Sequence, residues 1–112
     1  MTTFQERERA FEAKFAHDEE FRFLVLARRD KLFARWAAER IGVSGQDEAN
    51  LTASVLAIRD GPGHDEAVLG RIADAFASRG AGISHSELAT ALDRCAAQAR
   101  QQLLDNPPAA RH

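Results

Sequence analysis

A chain of 112 residues, 45% hydrophobic and 29% charged, has material for one compact domain with a single core and too little for two. Its net charge of -2 and pI near 6.1 exclude binding driven mainly by phosphate neutralisation, which takes a large basic excess. The longest apolar run, residues 23–27, is cut off at once by Arg28 and Arg29, so no membrane span is predicted.

Residues 1–9 lack the positive lead and apolar run of a secretory signal, and the single Cys95 has no partner for an internal disulfide, which points to a cytoplasmic protein. Charge is nearly even along the chain: residues 1–40 carry nine Lys/Arg against eight Asp/Glu, and the remainder six against nine. Abundant Ala, Arg and Glu with no Tyr favour helices over sheets.

The first predicted helix covers residues 3–16. Phe4, Phe11 and Phe15, at spacings of seven and four, share one narrow face, and Leu, Ile and Val do not appear before Leu24. His17, Asp18, Glu19 and Glu20 then form an acidic break, with Asp18 placed to cap a second helix and the two glutamates near its positive end. That helix runs to about Ile41, with Phe21, Val25, Leu32 and Trp36 on one stripe, widened by Leu24, Phe33, Ala37 and Ile41, and it ends at Gly42 and Gly45.

Ser44 and Asp47 are spaced as a capping box for a third helix, whose buried face is Leu51, Val55 and Ile58 and whose end is Gly61-Pro62-Gly63. Asp65 and Glu66 open the next helix, striped by Val68, Leu69, Ile72, Ala73 and Phe76 and broken by Gly80 and Gly82. Ser84 and Glu87 make a full capping box for the last helix, with Ile83 set to staple onto Leu88. Leu88, Leu92, Cys95, Ala99 and Leu103 recur along it until Pro107-Pro108 stops it.

Short loops between capped helices predict an up-and-down all-α four-helix bundle over residues 18–105, followed by a disordered tail at 106–112. Residues 1–17 are left over as an amphipathic arm, and an isolated helix of that length is marginal in water, so the arm is expected to fray when unbound. Its Phe stripe suits either an extra core helix or the groove of a partner protein, since groove anchors use the same spacing. Glu6, Arg7, Glu8, Arg9, Glu12 and Lys14 put both signs of charge beside it, which fits a protein partner better than a polyanion.

Little else suggests chemistry. His17, His64, His85 and His112 do not fall in pairs on one helical face, nor with Cys95 in a ligand pattern, so neither a metal nor a cofactor is expected. His17 and His64 read as helix-start residues rather than acid–base partners of Asp18 and Asp65. Cys95 reads as a small buried hydrophobe. The glycine pairs lack the Gly-Lys-Ser/Thr of a phosphate loop. The run Arg28-Arg29-Asp30-Lys31 reads as a solvated helix face; the rival use, for Arg28, Arg29, Lys31 and Arg35, is a helical adaptor or regulatory module associated with nucleic acid.

The segments Arg7-Glu8-Arg9-Ala10-Phe11-Glu12-Ala13-Lys14-Phe15-Ala16-His17-Asp18-Glu19-Glu20, Ala27-Arg28-Arg29-Asp30-Lys31-Leu32 and Trp36-Ala37-Ala38-Glu39 resemble the zeta-subunit family of alpha-proteobacterial F-type ATP synthase inhibitors. The likeness is dense from Phe4 to about Gly42 and looser beyond, where helix order and the His64-Asp65-Glu66 start correspond. Gln5 and Asp30 depart from the short acidic or amide residue and the Asn usual there.

The resemblance implies a non-enzymatic inhibitor: a four-helix bundle with a mobile N-terminal arm that inserts as a helix between catalytic subunits and blocks rotation. Phe4, Phe11 and Phe15 are then the anchors, and Arg7, Glu8, Glu12 and Lys14 set the register. The implied partners are the alpha, beta and gamma subunits of the synthase head. The chain is expected to be a cytoplasmic monomer when free, peripheral to the membrane-bound synthase.

Overall fold

The structure is a computed structural model that describes residues 18–106. It contains four helices and, among the described residues, no strand: α1 (Glu19–Ile41), α2 (Gly45–Leu56), α3 (His64–Ser78) and α4 (His85–Asp105). This is the all-α four-helix bundle expected from the sequence. The helix predicted for residues 3–16, and the tail beyond Asn106, lie outside the described residues.

Local chemistry sets the helix ends. Asp18, in extended conformation, accepts a hydrogen bond from the Glu20 amide at 2.8 Å and so satisfies one orphan donor of α1. At the other end Gly42 adopts φ 77, where a side chain would be strained, and the Val43 amide reaches back to the Ala38 carbonyl at 2.9 Å. Ser84 caps α4 as its box predicts, accepting from the Glu87 amide at 3.1 Å.

Ser44 is the N-cap of α2, but its side chain makes no capping bond. Asp47, which the box would turn back on Ser44, instead faces Arg79 at 3.5 Å. The Ser44–Asp47 spacing therefore marks the start of the helix without supplying its hydrogen bond.

The core gathers around the second half of α1. Phe33, Ala34 and Ala37 are fully buried against Val55 of α2, Val68, Leu69, Ile72 and Phe76 of α3, and Leu88, Ala91, Leu92 and Cys95 of α4. α1 packs most extensively on α4 and next on α2; Ala34, Ala37 and Ala38, all without exposure, permit that close approach from more than one side. Trp36, expected at the centre of the stripe, is instead half-buried at its margin. It stacks on Phe33 at 5.6 Å, with the Arg40 guanidinium 5.3 Å above its ring.

Candidate functional site

The seven residues expected to meet a partner, Phe4, Arg7, Glu8, Phe11, Glu12, Lys14 and Phe15, all lie outside the described residues. What the structure describes is the platform that carries them, and it holds one feature that sequence reasoning missed.

Arg29 and Asp30 are not part of a solvated basic face. They are 5% and 2% exposed, because both project from the side of α1 that faces the start of α3. Arg29 donates through Nε to Asp30 Oδ1 at 3.0 Å and through Nη2 to Asp65 Oδ1 at 2.7 Å. The Asp30 Oδ2 lies 2.7 Å from His64 Nε2, and the other ring nitrogen, Nδ1, lies 3.0 Å from the Arg59 carbonyl oxygen. The rival reading of Arg28, Arg29, Lys31 and Arg35 as one nucleic-acid face thus loses its central member; Arg28, Lys31 and Arg35 remain exposed, and Arg28 is engaged with Gln102 at 3.2 Å.

Neither the Arg59 carbonyl nor an ionised Asp30 can donate a hydrogen, so a His64 ring facing both satisfies them only by carrying a proton on each nitrogen. Burial works against that charge, yet the Arg59 carbonyl and Asp30 together outweigh it and raise the imidazole above its ordinary pKa. Arg29 follows the same logic: burial opposes its charge, and Asp65 and Asp30 more than restore it. The Arg29 hydrogen bond in turn holds the Asp65 carboxyl below its ordinary value.

The turn that delivers His64 is Gly61-Pro62-Gly63. Gly63 serves as N-cap of α3 at φ 83, a conformation open to glycine. His64 does start a helix, as expected, but it is also the point where α3 and its preceding turn are tied to the middle of α1. A signal was present in the sequence: Asp30 falls on the stripe Phe23, Leu26, Asp30, Phe33, Ala37, where a carboxylate needs a buried partner.

Cys95 is buried, and burial pushes its thiol up in pKa despite Arg94 and Arg29 nearby, which makes it unreactive. Among the described residues no group of His, Cys, Asp and Glu is arranged to hold a metal ion, no helix is long and apolar enough to cross a membrane, and every buried side-chain polar atom has a hydrogen-bond partner.

Beside the network, Phe23, Leu26 and Leu56 are the large apolar side chains that stay exposed among the described residues. Phe23, Ala27, Leu56 and Ile58 line a hollow of about 90 Å³ that Asp30 and His64 also border. That volume admits one side chain and is well below the size of a small-molecule site.

The described residues thus form a helical bundle whose buried charges brace one long helix and whose exposed apolar side chains include two near that helix's start. The family model described as ATPase inhibitor subunit zeta matches residues 1–102, and the chain belongs to that family. The match takes in the first seventeen residues and most of the bundle. No curated protein and no solved structure matched the chain. Family membership makes it a regulatory subunit that inhibits the ATP synthase.

Proposed function

We propose that residues 1–17 are the inhibitory element, entering the synthase head as a helix between catalytic alpha and beta subunits and obstructing the gamma rotor in its hydrolytic turn. The observation that carries this reading is the Phe-only stripe within a segment that the family match includes from its first residue. On a helix, Phe4, Phe11 and Phe15 form one line, with Glu8 and Glu12 along one flank and Arg7 and Lys14 along the other. Such a segment enters an apolar cleft in one rotational setting, because reversing its flanks reverses the charges offered to each wall. The bundle stays outside and braces the arm, and the protein works in the cytoplasm at the periphery of the membrane-bound synthase.

Magnitudes constrain how the arm is held. Burying three Phe side chains contributes roughly 5 to 9 kcal/mol, whereas ordering a free segment of this size costs roughly 15 kcal/mol or more in backbone entropy. The remainder comes from helical hydrogen bonds, from the pairing of Arg7, Glu8, Glu12 and Lys14, and from contacts outside the arm. Phe11→Ala in the full chain tests the anchor role: inhibition of ATP hydrolysis by the purified head weakens at least tenfold while the thermal midpoint of the bundle stays put. Undiminished inhibition removes Phe11 from the interface.

A further inference from the structure

The apolar stripe by which α1 packs into the bundle continues past the point where the bundle covers it. Phe23, Leu26, Asp30, Phe33 and Ala37 succeed one another at steps of four and three and share a face of α1. Phe33 and Ala37 are fully buried and Asp30 nearly so, yet Phe23 is 56% and Leu26 37% exposed. Leu56, the last residue of α2, is 47% exposed and lines the same hollow as Phe23. Beside Leu26 the margin carries Asp60, Asp65 and Glu66 with His64; Arg29 pairs with Asp65 and His64 with Asp30, so the net acidic charge there comes from Asp60 and Glu66.

We propose that this shelf is a second docking surface for the ATPase head, accepting an apolar patch of the head edged with Lys or Arg. The inference rests on the arm reading given above and adds a separate grip to it. Continuity along the chain is the first argument. Phe15 and Phe23 are eight residues apart, a stretch that spans at most about 28 Å, so a seated arm holds the shelf against the surface around its cleft at high effective concentration.

Rigidity is the second argument. Asp30 and His64 border the hollow and are locked to each other and to Arg29 and Asp65, so docking here orders little that is not already ordered. Charge is the third. In a symmetric pairing of two copies, the acidic margins of both would meet, and the arm itself, with equal numbers of acidic and basic residues, offers no net complement to that margin. A basic-edged surface on the target does.

The test is inhibition of the purified ATPase head by the full chain carrying Phe23→Ser and Leu56→Ser, both at exposed positions. The concentration for half-inhibition is expected to rise tenfold or more with the thermal midpoint unchanged; inhibition equal to the parent's overturns the shelf and leaves the arm reading standing. A parent chain that fails to inhibit removes both. Independently of that variant's folding, Leu56→Cys supplies a reporter in a chain whose own Cys95 is buried and inert. Alkylation of the introduced thiol is expected to slow at least tenfold in the complex, and an unchanged rate overturns the proposal.

Two further outcomes also overturn it. One is a concentration-dependent dimer of the parent that the double variant loses, which gives the shelf to a second copy. The other is a shift of Phe23 resonances in the free chain on Phe11→Ser, which gives it to the chain's own arm.

Discussion

His64 is held by oxygen acceptors at both ring nitrogens, and the consequence is a dependence of stability on pH. A folded pKa raised above the ordinary 6.5 means that its contribution is complete below that value and is lost as pH rises through the folded pKa. Asp65, whose pKa is lowered from 3.8, contributes above that value and loses its contribution as pH falls through its own titration. Thermal unfolding scans should therefore show a midpoint that declines on the alkaline side of the imidazole range, and His64→Gln should abolish that decline. A parent midpoint flat across this range would contradict the doubly protonated ring. The two aspartates should also differ in weight. Removing Asp30, 2% exposed, leaves Arg29 and His64 without their shared partner, so Asp30→Ala should destabilise by about 3 to 5 kcal/mol. Asp65, whose side chain is 60% exposed, should cost about 1 kcal/mol or less as Asp65→Asn; denaturant titration separates the two.

The helices show how far local sequence carries. Four helix starts were legible because capping depends on neighbours in the chain: Asp18 and Ser84 act in the structure as their positions imply, and Gly42 ends α1. The stop of α2 was misplaced, because the helix ends at Leu56 rather than at Gly61-Pro62-Gly63, and Ile58, expected on its buried face, lies in the loop beyond. Ser44 was legible as a start, but not as an unused cap, because Asp47 is drawn away by Arg79 from another helix. Urea unfolding should register that difference, with Ser84→Ala costing about 1 kcal/mol and Ser44→Ala close to nothing; equal losses would contradict the observed cap geometry. Arg29 and Asp30 were misread for the same kind of reason. Their neighbours in sequence, Arg28 and Lys31, are solvated, and burial came from His64 and Asp65, more than thirty positions away. Asp30 shares a face of α1 with the buried Phe33 and Ala37, but the stripe read from the sequence did not include it, and no local rule names the partner that makes a buried carboxylate tolerable.

For the whole molecule, the buried ion network ties the middle of α1, the longest helix among the described residues, to the start of α3. Bundle and family were legible in the sequence; the seven arm residues lie outside the described structure, so their role stands on chain pattern and family membership. The central claim is that inhibition resides in the arm. It is tested most directly by deleting residues 1–16 and assaying ATP hydrolysis by the purified synthase head across a range of inhibitor concentrations. The account predicts that the shortened chain remains helical and cooperatively folded but no longer inhibits. Inhibition as strong as that of the full chain would contradict it.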